Sequence, residues 1–235
     1  DEWFPRVVIH FRWNYPECAQ QARHALAREL LPYVPSFLRS KVGGTVEGWG
    51  KRAARALALD SDSQQRDVES LFDRIFEALE SQLAESRFCL GDRPSAADAV
   101  LLGAIRAHLQ PDPESRRRLQ RFPKVLAWAS KPPDWTGTET LCSLERPNTF
   151  ARCVLREIAG PYASFIRSNA EALEADEKAV LVDHGSGSVS YRSRPYPELS
   201  RQRLTDWLNT LDDDAREAVK MQLSELGLAD IFPMG

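Results

Sequence analysis

Phe88-Cys-Leu-Gly91-Asp-Arg-Pro94-Ser95-Ala-Ala-Asp98-Ala-Val100-Leu-Leu-Gly-Ala-Ile105-Arg-Ala-His108-Leu109 holds, in order, a turn, a helix start and an apolar helix. Gly91 to Pro94 supply the turn. Ser95 is placed as N-cap, with its hydroxyl accepting from a backbone N–H near Asp98. Asp98, at the third helical position, can reach back to the Ser95 N–H and lies at the positive end of the helix dipole. The residues that follow are apolar almost all round, which predicts a helix in the middle of a bundle, covered by its neighbours. The Ser95–Asp98 box would satisfy N–H groups that such a buried start otherwise orphans.

Upstream, Asp60 and Ser61 can cap a helix in which Val68, Leu71, Phe72, Ile75, Phe76, Leu79 and Leu83 follow the i, i+3, i+4, i+7 rule. This predicts a long amphipathic helix laid against the one at 95–109. Downstream, Gln110-Pro-Asp-Pro113 closes the core helix, residues 114–120 form a short charged helix, and 122–130 another whose Val125 and Trp128 point inward. Gly91-Asp-x-Pro94-Ser95-x-x-Asp98 opening an apolar helix, preceded by Phe88 and Leu90 and followed by Phe122-Pro123-x-Val125-x-x-Trp128, resembles the C-terminal helical domain of glutathione transferases. The resemblance runs through residues 61–131 and weakens past Pro132. It implies an all-α, glutathione transferase C-terminal-like helical bundle, in which Ser95 and Asp98 are a structural capping box with no part in catalysis.

Residues 1–58 read as helices. The first, over 1–13, ends at Asn14-Tyr15-Pro16, because the residue before proline is pushed out of the α region. A second covers 17–31 and ends at Pro32 and Pro35. A third covers 37–59, with interruptions expected at Gly43-Gly44 and Trp49-Gly50. Its basic turn, Lys51-Arg52 to Arg55, suits a solvated face, with a phosphate or an acidic partner as the alternative. The domain boundary falls at Lys131-Pro-Pro-Asp-Trp135, giving a helical domain over 1–131 and a C-terminal extension over 132–235 packed on it. In the extension, Asn148 caps a helix that Gly160-Pro161 should kink. Two β-type runs flank His184-Gly-Ser-Gly-Ser188 and predict a hairpin at about 179–191. Two helices follow, over 197–211 and 212–226.

The 235 residues, 43% apolar and 28% charged with a net charge of −3, describe a globular chain and give no reason to expect nucleic acid. No apolar run is long enough for a membrane span. Asp1-Glu-Trp-Phe-Pro5 is no signal peptide, and without an initiator Met the sequence reads as a processed or truncated piece. Four cysteines without paired spacing point to reduced thiols, hence a cytoplasmic or another reducing compartment. The four histidines have no carboxylate or thiol at ligand spacing, so no metal site is expected. His184 beside Asp183 and Ser186 lacks the nucleophile elbow a triad needs, and Arg116-Arg117-Arg118 reads as a solvated face.

The chemistry therefore comes from the resemblance. A glutathione transferase joins a thioredoxin-like domain, which binds the tripeptide, to a helical domain that walls the apolar co-substrate. This chain resembles only the second part, so glutathione enters as co-substrate only if a thioredoxin-like domain is present, and the chain itself binds no cofactor and supplies no catalytic residue. Candidate lining for an apolar pocket, by analogy, is Phe11, Trp13, Tyr15 and His108; the rings also suit core or interface packing, and a cationic His108 also suits a helix C-terminus. The implied function is the co-substrate-binding and dimerisation half of a transferase acting on a hydrophobic small molecule. The alternative is a non-catalytic scaffold domain within a homodimer or heteromeric assembly.

Overall fold

The computed structural model describes residues 3–143, 145–184 and 187–235. Among the described residues eleven α-helices run in chain order: α1 (Pro5–Trp13), α2 (Pro16–Leu30), α3 (Ser36–Ala56), α4 (Asp62–Gln82), α5 (Ala96–Ala104), α6 (Pro113–Leu119), α7 (Pro123–Ser130), α8 (Thr149–Glu157), α9 (Ala163–Glu174), α10 (Pro195–Leu208) and α11 (Asp213–Glu225). The strands of the described residues, β1 (Ala179–Asp183) and β2 (Ser188–Arg192), form one antiparallel pair with Val180 opposite Tyr191. The fold is all-α with a small hairpin. The centre of the hairpin turn, residues 185 and 186, lies outside the described residues, and with it the Ser186 of the triad reading.

Prolines at the first turn start α1, α2, α6, α7 and α10, where the missing N–H costs nothing. Side chains cap others: Ser61 Oγ accepts from the Gln64 N–H at 3.3 Å and Asn148 Oδ1 from the Ala151 N–H at 2.8 Å. Gly160 leaves the helical region (φ −82°, ψ −136°) ahead of Pro161, and the α8–α9 rod kinks there. The apolar stripe of α4 is buried from Val68 to Leu79. Its principal neighbours are α8, α1 and α7, so α4 shares a core with α5 without forming the expected helix-on-helix seam.

Two expectations fail for tertiary reasons. First, α3 runs unbroken through its glycines. A Cβ on Gly50 would lie 2.2 Å from the Trp13 ring, and one on Gly43 would lie 2.6 Å from Arg23 Cγ. These glycines are where α1 and α2 approach α3; they are contact points inside a helix, and the helix tolerates them at a cost of about 1 kcal/mol each. Second, the core helix is not covered all round. Leu101, Ile105 and Leu109 are buried, but Ala99, Val100 and Gly103 face outward, Val100 at 41% exposure. Its last turn, Ile105–Leu109, is also a π-turn, a one-residue bulge that no sequence pattern signalled.

The Ser95–Asp98 capping box is in place. Its short, charge-assisted bonds belong to the acid: Asp98 Oδ2 accepts from the Ser95 N–H at 2.8 Å and from the Ser95 hydroxyl at 2.7 Å, while Oδ1 accepts from the Cys89 N–H at 2.8 Å. The turn before it requires Gly91, at φ +133°, where a Cβ would also lie 2.9 Å from the Thr140 carbonyl. Across that turn runs the connector, Cys142 N–H donating to Leu90 O at 2.7 Å.

A second core, built from α9, the hairpin, α10, α11 and the tail to Ile231, lies beyond the kink. The first core extends into α8, where Phe150, Cys153 and Val154 pack in it. Trp3, ahead of α1, packs against both cores, its ring 5.4 Å from Tyr162 and 5.9 Å from Tyr191. Asp98→Ala leaves the Cys89 and Ser95 N–H groups without their acceptor and is expected to cost about 2–4 kcal/mol in urea unfolding. Ser95→Ala should cost less, and an Asp98→Ala variant as stable as the parent would refute this account of the helix start.

Candidate ligand groove between the first and core helices

The outward face of α5 is apolar and small, and α1 lies alongside its far end. Because Ala99, Gly103 and Ala104 carry little or no side chain, the two helices cannot close on each other there. The result is a groove of about 460 Å³, walled on the α1 side by Phe4, Val8, Ile9 and Trp13. An apolar concavity with a few polar groups at one end is the usual form of a small-molecule site.

The polar end belongs to Arg12 and His108. Arg12 Nε donates to Asp112 Oδ2 at 2.9 Å, Nη2 to the Ala107 carbonyl at 3.3 Å, and Nη1 lies 2.7 Å from His108 Nδ1. Since a guanidinium can only donate, Nδ1 is the acceptor and His108 is neutral. Burial first, then the Arg12 charge, push its pKa below the ordinary imidazole value. The expectation of a cationic His108 at the helix C-terminus is therefore corrected: Arg12 brings the positive charge to those carbonyls, and that charge forbids a second on His108. Burial also raises the Asp112 pKa, against the pull of Arg12.

Of the four pocket candidates, Trp13 and His108 lie on the groove walls and Phe11 and Tyr15 do not. Phe11 is fully buried behind α1, edge-on to Phe72 at 5.1 Å. Tyr15 stacks on Phe11 and donates its hydroxyl to Glu69. Burial and that carboxylate push the Tyr15 pKa far up, so it holds its proton and offers no phenolate.

Glu69 is the hub of a network the sequence reading passed over. Besides Tyr15 it faces His10 Nε2 at 3.1 Å and Arg118 Nη2 at 2.9 Å, and Arg118 Nε also donates to Glu114 at 3.0 Å. Asn14 Nδ2, 3.1 Å from His10 Nδ1, fixes the tautomer with its proton on Nε2. Burial works to raise the Glu69 pKa, but bonds from Tyr15, His10 and Arg118 outweigh it and hold the carboxyl below its ordinary range. Arg118 is thus a structural ion-pair partner, not part of a solvated face as its Arg116-Arg117-Arg118 context suggests. A signal existed: Glu69 stands three and seven residues before Phe72 and Phe76, an acid in the apolar stripe of α4.

All four cysteines are free thiols, with Cys89 raised by burial and the nearby Asp98 and so unreactive. Among the described residues no group of three or more His, Cys, Asp or Glu could hold a metal ion, and no helix is long and apolar enough to cross a membrane.

Residues 44–129 match the family described as glutathione S-transferase, C-terminal domain, which supports a glutathione transferase-like helical domain there. The match takes in α4 to α6, nearly all of α7 and the groove's α5 wall. No curated protein and no solved structure matches the chain.

His10, His108 and His184 are all held below the ordinary value of 6.5 by burial. The unfolded chain therefore binds protons that the folded chain refuses, and their contribution to stability, present above that value, is lost as pH falls through it toward the folded values. Urea unfolding is expected to show stability falling from about pH 7.5 to about pH 5.5, by up to about 1.4 kcal/mol per pH unit for each histidine. His10→Gln should flatten the slope; stability flat or rising toward acid would contradict the neutral assignments.

Proposed function

We propose that the α1–α5 groove is the apolar co-substrate wall of a glutathione transferase-like protein. Joined to a thioredoxin-like domain, it would hold an electrophilic hydrophobic small molecule for attack by glutathione sulfur. The observation that carries this reading is the uncovered apolar face of Ala99, Val100 and Gly103 on the helix that the family match contains. A helix so apolar is normally covered on every side. Each 100 Å² of apolar ligand surface seated there would be worth about 2.5 kcal/mol before the costs of binding.

On this reading the chain positions and does not react. Tyr15 is bonded to Glu69 and holds its proton, the Cys89 thiol is buried, and His108 is engaged with Arg12. The group that lowers the pKa of the glutathione thiol belongs to the thioredoxin-like part, since the strands of the described residues form only one two-stranded sheet. Arg12 and His108 at the groove's end offer donors to a polar substituent of the electrophile.

The second reading, an assembly domain, is favoured by the tip of the α2–α3 hairpin. There Tyr33 is 98%, Phe37 70% and Leu30 58% exposed. Such a cluster suits a second copy or a larger partner.

Gly103 decides between them. A Cβ there meets nothing within 4 Å, so Gly103→Trp should fold while its ring fills the groove. The parent chain is expected to bind the apolar dye anilinonaphthalene sulfonate by fluorescence titration, and the variant at least tenfold more weakly, with little change in Tm. Equal binding by both folded proteins would sink the groove reading and leave assembly, tested by sedimentation equilibrium.

A further inference from the structure

A separate pocket of about 270 Å³ opens where the two cores meet, lined by Trp3 and Arg6, by Asp67, Ser70 and Arg74 of α4, by Glu157 and Pro161 at the kink, and by His184. We propose that it binds a small zwitterionic α-amino acid, carboxylate toward Arg6 and ammonium toward Asp67. The inference stands apart from the groove reading.

The argument is an accounting of charge. Arg6 is 2% exposed, and a buried guanidinium is expected to have a carboxylate partner. None lies within ion-pair distance among the described residues. Arg6 Nη2 donates to Gln64 Oε1 at 2.9 Å, Nε has no partner, and the guanidinium lies 4.2 Å from the centre of the Trp3 ring. On the α4 wall, Asp67 has Gln64 Nε2 at 3.2 Å and His184 Nδ1 at 3.9 Å, but no lysine or arginine among the described residues. By contrast Arg74 and Glu157 neutralise each other through two bonds, one of them 2.9 Å long. The pocket therefore presents a cation and an anion that meet only across the Gln64 amide, neither of them closed into an ion pair.

Their spacing selects the ligand class. The buried Gln64 amide sits between them, its oxygen on Arg6 and its nitrogen on Asp67, holding the two charges across one planar amide. Tyr191 also donates to Gln64 Oε1 at 3.2 Å and faces His184 Nε2 at 2.8 Å, so both cores fix the arrangement. An α-amino acid carries its carboxylate and its ammonium on one carbon, so a single small molecule can meet both charges. A simple anion would meet Asp67 and Glu157; a simple cation would meet Arg6. The volume, about that of nine waters, admits a small or medium side chain.

Calorimetric titration of the chain with glycine, L-serine and L-glutamine tests this, with acetate and methylammonium as half-ligand controls. At least one amino acid is expected to bind at a single site, tenfold or more tightly than either control. Asp67→Asn, on an exposed position of α4, should weaken that binding at least tenfold, and Ser70→Trp, which fills the pocket from outside, should abolish it. Arg6→Lys should abolish it too, but the first two variants carry the test if that one does not fold. No binding by any of the three amino acids, acetate binding as tightly as they do, or undiminished affinity in folded Asp67→Asn would each overturn the proposal.

Discussion

A carboxylate with three donors at the start of one helix organises the first core. Asp98 is 2% exposed, and an anion so placed is tolerable only because the Ser95 N–H, the Ser95 hydroxyl and the Cys89 N–H all point at it. That requirement fixes the turn at 88–91 against the start of α5. The turn in turn recruits the connector: the Cys142 N–H bonds to Leu90 O, and the Cys89 carbonyl accepts from Asn148 Nδ2 at 3.0 Å. Asn148 caps α8, which packs along α4. One buried charge thus links the core helix, the connector and the first helix beyond it.

The parts of this arrangement legible in the sequence are those that depend on neighbours in the chain. Caps, prolines and the stripe of α4 act within a few residues, so Ser61, Asn148, Ser95 with Asp98, and Gly160-Pro161 announce themselves. The glycines of α3 mislead because their purpose is the ring of Trp13 and the stem of Arg23, which the chain brings near only on folding. The uncovered side of α5 was invisible for the same reason, since composition tells how apolar a helix is and not which neighbour is missing. Around the end of α1, the sequence shows that Phe11, Trp13 and Tyr15 are aromatic and close; only packing assigns Phe11 to the core, Trp13 to the groove and Tyr15 to Glu69. His108 was misjudged because a helix dipole favours a cation locally, whereas Arg12, far away in sequence, had already supplied it.

α1 is the shared wall of everything proposed. One side closes the core through Phe11, another lines the groove through Val8, Ile9 and Trp13, and its first turn carries Arg6 into the junction of the two cores. Two of its polar residues, Arg6 and His10, are buried, each satisfied in part by α4, through Gln64 and Glu69. Buried polar contacts of this kind specify a partner more than they stabilise it, because any other packing would strand them.

The position of Trp3 in the second core also has a kinetic side. Its ring is sheathed by Tyr162, Phe165 and Tyr191, which the ribosome makes about 160 to 190 residues later. At about 5–20 residues per second, Tyr191 follows Trp3 by roughly ten to forty seconds. Through that interval the indole lacks its partners in the second core, whereas the Arg6 guanidinium already has Gln64 of α4. The second core can therefore close on the Trp3 ring only once the hairpin has been made.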